Sequence, residues 1–573
     1  MLKRLSILLI FIVITIGGFF GSQIMRPSAP PAESDADYPS YQRMLANLEA
    51  MTLEPHPSGS KEIERVRTYL LAQINIMGLN PTIESEKITI KDVFNSQEAR
   101  YARKNGLEPF IQEPLNEAAK KGIEDTIRQK AVFNKNGEVI LKNILVKLDV
   151  PDTEQGVLIV SHYDTKKTTP GAADDMVSVS AILEALREQS KNHSLKNDLY
   201  FLFTDGEEVG TMGAEAFVKS HPELKSTIKL VINFEARGNS GSLLMFQTSG
   251  DNYNLMSYFQ SASSRPLAFS FTTALYRRMP NDTDLTHFLD AGYSGINYAA
   301  VEGVETYHKL SDSFANLNRS TAYNYLKTAL EMVRFSGQEK FQQTGSNYDG
   351  VYFPLSSGML LLMSNSTVYF LSGFAIFLAL LWLINLIRIG KVKIRQLFVE
   401  SVWLIGIMSV IALVSFGFII LLKQTMHLKN ESNNLVVLLC LMLVFSTGTF
   451  ALCILRMRKK SVAQTVAGLL PVQLLLIIVT TLFFKEISYL FTLPTLAALG
   501  IGIFNQNNIG RMIISTIFGI GILLLYIPVC WLIFVLFMLP ITPLVVALSV
   551  IPISFIAAFF GAQYKLPKNN LTD

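Results

Sequence analysis

Cysteine is scarce in this sequence of 573 residues: there are three, and the first of them, Cys440, lies in the second half of the chain. The part that precedes it cannot be a scaffold held together by disulfide bonds. It must instead be stabilised by its own hydrophobic core, and a segment of a few hundred residues is long enough to bury one.

Charged residues are also few. Asp, Glu, Lys and Arg make up 17% of the chain, against roughly 25% in ordinary globular proteins. The formal net charge is only +4, and the mean hydropathy is +0.32. This composition excludes a disordered chain and disfavours nucleic acid as a partner, because nucleic-acid binding needs a clearly basic domain. It is typical of a protein that has the lipid bilayer as a partner.

Long apolar runs are what the sequence has in place of charge. The first, residues 5–21, follows Lys3 and Arg4, and no small-residue cleavage site is evident after it. We therefore interpret residues 1–22 as an uncleaved signal anchor, with a cleaved signal peptide as the alternative. Seven further runs have about the 20 residues that cross a bilayer, and they lie at 368–388, 398–422, 435–455, 463–484, 487–504, 512–536 and 541–561.

Three regions follow from this pattern: the anchor (1–22), a domain of mixed composition (23–365) and a membrane domain of about seven helices (366–573). Residues 351–367 are apolar too, but Pro354 and the Ser-Ser-Gly after it indicate a strand and a loop. With eight spans, most Lys and Arg of the short loops fall on the side of the N-terminus, which is then the cytoplasm. The mixed domain is predicted to be extracytoplasmic, and its lack of cysteine favours a bacterial cell membrane over a eukaryotic endomembrane.

The mixed domain alternates between short β-rich runs and helical patterns. Strands are predicted at 157–162, 199–204, 230–235 and 242–247, and helices at 177–189 and 211–220. This alternation predicts an α/β fold with a mostly parallel sheet flanked by helices, and such sheets bind ligands at the carboxyl ends of their strands. A charged segment at about 91–142 separates two earlier strands. It is interpreted as a solvated insertion, with a lid that limits substrate size as the alternative.

Acidic side chains and one imidazole collect at these strand ends. They are His162 and Asp164 after the first strand, Glu207 and Glu208 after the second, Glu235 at the third, and Asp174 and Asp175 in the loop that opens a helix. Imidazole nitrogen and carboxylate oxygen are ligands of zinc. Two zinc ions ~4 Å apart need a carboxylate between them, and a separate carboxylate must take a proton from water. The pattern therefore predicts two zinc ions per chain, with the adjacent glutamates available for different tasks.

Five motifs in a fixed order make the pattern more specific. They are His162-x-Asp164, Pro170-Gly-Ala-Ala-Asp174-Asp175, Glu207-Glu208, Asn233-Phe-Glu235 and Tyr307-His308. The set resembles the co-catalytic zinc aminopeptidase family, and in particular a membrane branch of the endoplasmic reticulum metallopeptidase and fungal vacuolar membrane protease type. The resemblance covers about residues 40–335 and implies the zinc exopeptidase fold.

The same resemblance implies a role for each residue. One zinc would be held by His162, Asp174 and Glu235, and the other by Asp174, Glu208 and His308. Glu207 would be the general base, and Asp164 would bind the far nitrogen of His162. The third-strand ligand of the family is usually aspartate, so Glu235 is read as a variant ligand. A cis peptide bond between Asp174 and Asp175 is also implied.

The expected function is a membrane-anchored dizinc metallo-exopeptidase that removes N-terminal residues from peptide substrates outside the cytoplasm. One alternative is a non-catalytic receptor-like or complex-subunit relative, against which the complete set of ligands argues. The other is a carboxypeptidase or glutaminyl-cyclase-type enzyme on the same scaffold, which Arg237, Arg277 and Arg278 keep open. No oligomeric state is predicted.

Three residues outside the ligand set also receive an interpretation. His56, in Pro55-His-Pro, is expected to be structural. Tyr276 and Tyr298 are both candidates for stabilising an oxyanion, and the sequence offers no reason to choose between them.

Overall fold

The computed structural model describes residues 2–104, 117–279, 281–339, 345–426, 435–457, 460–503, 508–537 and 539–561. The chain divides into two compact units. The α/β unit comprises Arg26–Gly350, and the helical unit comprises Met1–Met25 and Val351–Asp573.

Seven strands form the sheet of the α/β unit. They are β1 (Thr82–Thr89), β2 (Glu138–Leu148), β3 (Gly156–His162), β4 (Asp198–Thr204), β5 (Ile228–Ala236), β6 (Ser240–Thr248) and β7 (Gly295–Glu302). Their order across the sheet is β1-β2-β4-β3-β5-β7-β6. The four central strands β4, β3, β5 and β7 are parallel, whereas the pairs β1–β2, β2–β4 and β6–β7 are antiparallel.

The predicted α/β fold is confirmed, and the parallel part of the sheet is its centre. Every residue of β3 and of β4 is buried, which explains why these strands read as continuous apolar runs. All four strands predicted at 157–162, 199–204, 230–235 and 242–247 are present. Strand β7 is not among those predictions, although it lies between β5 and β6.

Helices pack against this sheet. Those of the α/β unit are α2 (Tyr38–Met51), α3 (Lys61–Ile76), α4 (Ile90–Lys104), α5 (Glu117–Arg128), α6 (Val177–Gln189), α7 (Met212–Ser220), α8 (Leu224–Thr227), α9 (Tyr253–Ala262), α10 (Ser270–Tyr276), α11 (Leu285–Asp290) and α12 (Arg319–Gln338). Phe217 of α7 and Phe288 of α11 join the buried cluster that includes Leu158, Val160 and Leu202 of the sheet. Burial of these large apolar side chains is the main source of stability for the strands that carry the site.

The charged segment at 91–142 includes α4, α5 and part of β2. Val93 and Ile127 of this segment, with Ile90 just before it, are buried in a cluster with Val209 and Met212, which follow β4. The described part of the insertion is therefore packed on the chain beside the strand ends and is not solvated on all sides. Residues 105–116 lie outside the described residues.

The helical unit contains the N-terminal helix, a hairpin and the helices of the second half. They are α1 (Leu2–Met25), β8 (Val351–Ser356), β9 (Met359–Met363), α13 (Asn365–Arg388), α14 (Ile394–Met426), α15 (Leu435–Met457), α16 (Val462–Phe483), α17 (Tyr489–Ile503), α18 (Asn508–Phe537), α19 (Thr542–Leu548) and α20 (Val550–Gly561). Within the described residues, six helical segments are long and apolar enough to cross a membrane. Two shorter apolar segments, Val444–Arg456 in α15 and Tyr489–Ile501 in α17, lie at the other two predicted spans.

The hairpin of β8 and β9 is the strand and loop that Pro354 and the Ser-Ser-Gly indicated. It groups with the helical unit, so the second segment of this unit begins at Val351, whereas the sequence places the domain boundary at residue 365. A stacked contact explains the grouping, because the ring of Phe353 lies on the ring of Tyr489, with centroids 3.9 Å apart.

Candidate metal centre

The five predicted ligands come together at the carboxyl ends of the parallel strands. His162 is the last residue of β3, Glu208 lies in the loop after β4, and Glu235 is the penultimate residue of β5. Asp174 is in the turn before α6, and His308 follows β7. The four central strands thus deliver the ligands because their carboxyl ends share one edge of the sheet.

Asp174 divides its two carboxylate oxygens between two groups of ligands. Its Oδ1 lies 3.2 Å from His162 Nε2, which is also 3.3 Å from Glu235 Oε1. Its Oδ2 lies 3.2 Å from His308 Nε2, which is 3.3 Å from Glu208 Oε1. Within each group the ligand atoms all lie within 4.8 Å of one another. Glu235 has a longer side chain than aspartate, and its carboxylate still lies close to His162 and Asp174.

Several of these atoms have no hydrogen-bond partner in the described part of the chain. They are His162 Nε2, Asp174 Oδ2, Glu208 Oε1 and Glu235 Oε2, and all are shielded from solvent. A buried polar atom without a partner is costly and calls for an explanation such as an ion. Two groups of one imidazole and two carboxylates, joined by a shared carboxylate, fit a pair of zinc ions in their donor chemistry.

Asp164 organises the centre through both its backbone and its side chain. Its backbone carbonyl accepts a hydrogen bond from His162 Nδ1 at 3.0 Å, and its Oδ1 is 3.5 Å from the same nitrogen. The Asp164 carboxylate accepts hydrogen bonds from the backbone N–H groups of Glu207, at 3.0 Å, and Glu208, at 3.2 Å. The contact expected with the far nitrogen of His162 is thus made mainly by the carbonyl, while the carboxylate fixes the turn that carries the two glutamates.

Glu207 stands beside the ligands and belongs to neither group. Burial and the negative charge of Glu235 raise the pKa of Glu207 well above its ordinary value. A general base is a group that accepts a proton from the reacting water and can release it again. The assignment of Glu207 as the general base stays a prediction.

Lys166 contacts the outer oxygen of a ligand, a relationship that the sequence did not reveal. Its Nζ donates a hydrogen bond to Glu208 Oε2, and Glu208 Oε1 faces His308. Burial alone would lower the pKa of Lys166. The negative charge of Glu208 and the hydrogen bond to it outweigh burial, so the pKa of Lys166 is raised. This contact orients the Glu208 carboxylate.

The turn that carries Asp174 is held by Asp312, which sequence reasoning also missed. The two carboxylate oxygens of Asp312 accept hydrogen bonds from the backbone N–H groups of Ala173 and Asp174. Asp175 in turn accepts hydrogen bonds from Ser161, at 2.6 Å, and from Ser178. The peptide bond between Asp174 and Asp175 is cis, which confirms that prediction.

His308 is placed by its neighbours in the loop after β7. Its backbone has φ +57°, a left-handed conformation that is uncommon outside glycine. The hydroxyl of Thr168 donates a hydrogen bond to the carbonyl of His308 at 2.9 Å, and the ring of Tyr307 stacks on the imidazole with centroids 3.6 Å apart. Burial lowers the pKa of His308, but its contacts with Asp174 and Glu208 outweigh burial and raise it to about 9.

Comparison with known protein families and with individual relatives supports the resemblance that the sequence motifs indicate. Residues 143–333 match the model of peptidase family M28. The vacuolar membrane protease of Saccharomyces cerevisiae strain RM11-1a is 25% identical over 373 residues, which are 64% of this chain and 35% of that protein. The vacuolar membrane protease of Yarrowia lipolytica is 22% identical over 413 residues, which are 70% of this chain and 39% of that protein. The chain thus spans little more than a third of the length of these curated relatives.

Two solved structures are among those that the chain matches. An aminopeptidase from Aneurinibacillus sp. strain AM-1 has 15% identity and a TM-score of 0.39, with 56% of this chain and 99% of that chain covered. A glutaminyl cyclase from Fimbriiglobus ruber has 13% identity and a TM-score of 0.36, with 55% of this chain and all of that chain (100%) covered.

The matched segment contains all five predicted ligands and Glu207. The resemblance drawn from the sequence motifs is therefore confirmed: residues 143–333 of this chain are similar to peptidase family M28.

Proposed function

We propose that this chain is a membrane-anchored dizinc metallo-exopeptidase that removes N-terminal residues from peptides outside the cytoplasm. The observation that carries the proposal is the division of the Asp174 carboxylate between two ligand groups, one with His162 and one with His308. Next to both groups stands Glu207, a carboxyl group with a raised pKa that neither group uses.

The chemistry of peptide hydrolysis assigns work to the residues of this centre. Zinc ions held by the two groups would lower the pKa of a water molecule and polarise the carbonyl of the peptide bond. Glu207 would accept a proton from the attacking water and deliver it to the peptide nitrogen as the C–N bond breaks. Asp164 would keep Glu207 in place through the hydrogen bond from its backbone N–H.

A non-catalytic role is less well supported, because all five ligands and the base are present and converge. The carboxypeptidase alternative depends on an arginine that can bind a substrate carboxylate. Arg277 is already paired with Asp349, at 2.8 Å, and Arg278 is bound to the carbonyl of Ala274, at 2.6 Å. Arg237 differs from both, because its Nε has no hydrogen-bond partner among the described residues.

The location outside the cytoplasm rests on charge. Arg388 ends α13, Lys391 and Lys393 follow it, and the positive-inside rule places this loop in the cytoplasm. The packing of α1 against α18 supports the uncleaved anchor, because a Cβ on Gly17 would lie only 2.9 Å from the side chain of Leu523. The absence of cysteine from the α/β unit favours a bacterial cell membrane over a eukaryotic endomembrane.

The test uses the purified full-length chain and matched peptides with a free or an acetylated N-terminus, assayed with and without a chelator. We expect release of the first residue from the free peptide only, and loss of this activity on chelation. Hydrolysis of the blocked peptide at its C-terminal bond would replace the aminopeptidase assignment with a carboxypeptidase one. No hydrolysis of either peptide by the zinc-loaded protein would contradict an enzymatic function.

A further inference from the structure

Arg237 lies at the same sheet edge as the metal ligands, two residues beyond Glu235 on the chain that leaves β5. Its backbone is firmly placed, because the N–H groups of Arg237 and Gly238 both donate hydrogen bonds to the carbonyl of Ala300, at 3.1 and 3.0 Å. A Cβ on Gly238 would lie 1.9 Å from the carbonyl oxygen of Glu302, so only glycine fits there. The guanidinium of Arg237 therefore starts from a fixed point beside the metal centre.

The side chain of Arg237 makes no hydrogen bond and no ion pair with any described residue. Its Nε is shielded from solvent and unsatisfied. The arginines elsewhere in the unit differ: Arg67 pairs with Asp205, at 3.3 Å, and Arg277 pairs with Asp349, at 2.8 Å. A half-buried guanidinium offers five N–H donors and retains its charge, so leaving it unpaired is unfavourable.

Tyr276 is a second polar group near this point. Its ring packs edge-on against Phe246, with centroids 4.8 Å apart. Burial and then the charges of Glu235, Asp282 and Glu207 raise the pKa of Tyr276, whereas the charge of Arg237 lowers it. The phenol is thus within electrostatic reach of both the metal centre and Arg237.

Tyr298, the other tyrosine that the sequence left open, is elsewhere. Its ring stacks on Phe234, with centroids 5.1 Å apart, and its pKa is raised by burial and by Glu331 and Tyr258, not by residues of the metal centre. Of the two tyrosines, Tyr276 is the one whose pKa is affected by Arg237 and by acidic residues of the centre.

We propose that Arg237, assisted by the hydroxyl of Tyr276, binds a carboxylate of the substrate. A planar guanidinium matches a carboxylate with two parallel hydrogen bonds, and a phenol hydroxyl donates a third. The carboxylate has two possible sources, the free C-terminus of a short peptide and the side chain of an acidic residue. The proposal rests on the proposed function in one respect, because it takes the substrate to be a peptide.

The experiment measures binding, so that it does not depend on turnover. The full-length, zinc-loaded chain carries Glu207→Gln to prevent hydrolysis, and four peptides are titrated: Ala-Ala-Ala as the free acid and as the amide, and Glu-Ala-Ala-amide and Gln-Ala-Ala-amide. We expect the acid of one pair to bind about 10- to 100-fold more tightly than its neutral partner, the range for charge-assisted hydrogen bonds. The pair that shows the preference identifies the source of the carboxylate.

Variants then assign the preference to its residues. Arg237→Met should abolish it, Arg237→Lys should keep part of it because the charge remains, and Tyr276→Phe should reduce it several-fold. Arg278→Met is the matched control and should leave the preference unchanged, because Arg278 is exposed and contacts a carbonyl of its own helix. Thermal melting and zinc content verify that each variant is folded. If Arg237→Met is unstable, a partial loss of the preference in Arg237→Lys supports the proposal, and an unchanged preference contradicts it.

Three results would overturn the proposal: equal affinity within both pairs, a preference that survives Arg237→Met in a folded protein, or no binding of any of the four peptides. Hydrolysis is assayed separately with Glu207 intact. A protein that shows the binding preference but hydrolyses nothing would refute the proposed function and leave the carboxylate site standing. One that hydrolyses acid and neutral peptides with equal KM would refute the carboxylate site alone.

Discussion

The carboxylate of Asp312 accepts a hydrogen bond from the backbone N–H of Ala173 at 2.8 Å. Its second oxygen accepts one from the next N–H, that of Asp174, at 3.2 Å. Asp312 thereby holds, from a loop more than a hundred residues later in the chain, the turn that presents the shared ligand to both groups.

Replacement of Asp312 should disturb the metal centre without removing a ligand. In Asp312→Asn an NH₂ group takes the place of one acceptor and faces a backbone N–H, so the turn must shift. We expect roughly 10- to 100-fold weaker metal binding or activity, the usual cost of losing a group that orients ligands. Asp349→Asn, which removes an ion pair with Arg277, is the control and should retain its zinc. Unchanged zinc affinity in Asp312→Asn would contradict the role.

The two ligand groups lead to an expectation for metal content. The zinc-loaded chain should contain two zinc ions per chain, lose peptidase activity on chelation and regain it when zinc is restored. Elemental analysis of the purified, active protein measures the content. Active protein without a transition metal would contradict the prediction, and a content of one ion would show that one group alone is sufficient.

The adjacent glutamates should respond differently to the same substitution. Glu207→Gln should keep the metal, because Glu207 is in neither ligand group, but lower turnover by ~10²-fold or more, the scale for loss of a general base. Glu208→Gln should lose metal from the group that contains His308. Both variants are compared by zinc content and by kcat. Equal zinc content in the two would show that the assignment within the pair is wrong.

His56 should make the stability of the α/β unit fall in mild acid. Burial lowers the pKa of His56 from 6.5 to about 4, only partly opposed by the hydrogen bond to the carbonyl of Glu54. The unfolded chain therefore binds a proton that the folded chain does not, so stability is complete above pH 6.5 and is lost as the pH falls toward 4. Between pH 7 and pH 5 the loss should be about 2 kcal/mol.

The measurement for His56 is the pH dependence of the midpoint of thermal unfolding. His56→Gln, which cannot titrate, should show a smaller decrease from pH 7 to pH 5 than the unsubstituted chain. His193→Gln, at an exposed position, is the control and should follow the unsubstituted chain. An equal decrease of the unfolding midpoint in all three proteins would show that His56 does not cause the loss of stability in acid.

The sidedness of the α/β unit can be tested by labelling single cysteines. Ser226 is exposed in the α/β unit, and Lys391 is exposed in the loop after α13. In intact cells a membrane-impermeant maleimide should label Ser226→Cys and not Lys391→Cys, with the parent chain as the background. Labelling of Lys391→Cys alone would place the α/β unit in the cytoplasm and reverse the topology.

The sequence was informative about the metal centre because its ligands follow strands that can be recognised locally. His162 and Glu235 each close a run of apolar residues, and parallel strands bring such ends together whatever the details of packing. The same local reasoning found β3 to β6 but not β7, although Gly295–Glu302 is largely apolar. Its position between β5 and β6 is a property of the whole sheet.

The residues that the sequence did not reveal act across long distances in the chain. Lys166 and Glu208 lie on different loops, and nothing in the residues around either one indicates the contact. The same holds for Asp312 and the turn at Ala173. Arg237 could be named from the sequence but not separated from Arg277, because only the fold shows that Asp349 pairs with Arg277 and not with Arg237.

The packing of α1 on α18 has a consequence for how the protein is made. Gly17 and Gly21 bring α1 close to Leu523 and Ile527, in the manner of small residues at helix contacts in membranes. During translation α1 leaves the ribosome roughly 480 residues before α18 begins, so it must wait in the bilayer without its neighbour while the α/β unit is synthesised. A chain that ended after Gly350 would contain every predicted metal ligand. Its α1 helix would lack α18, the helix against which Gly17 and Gly21 pack.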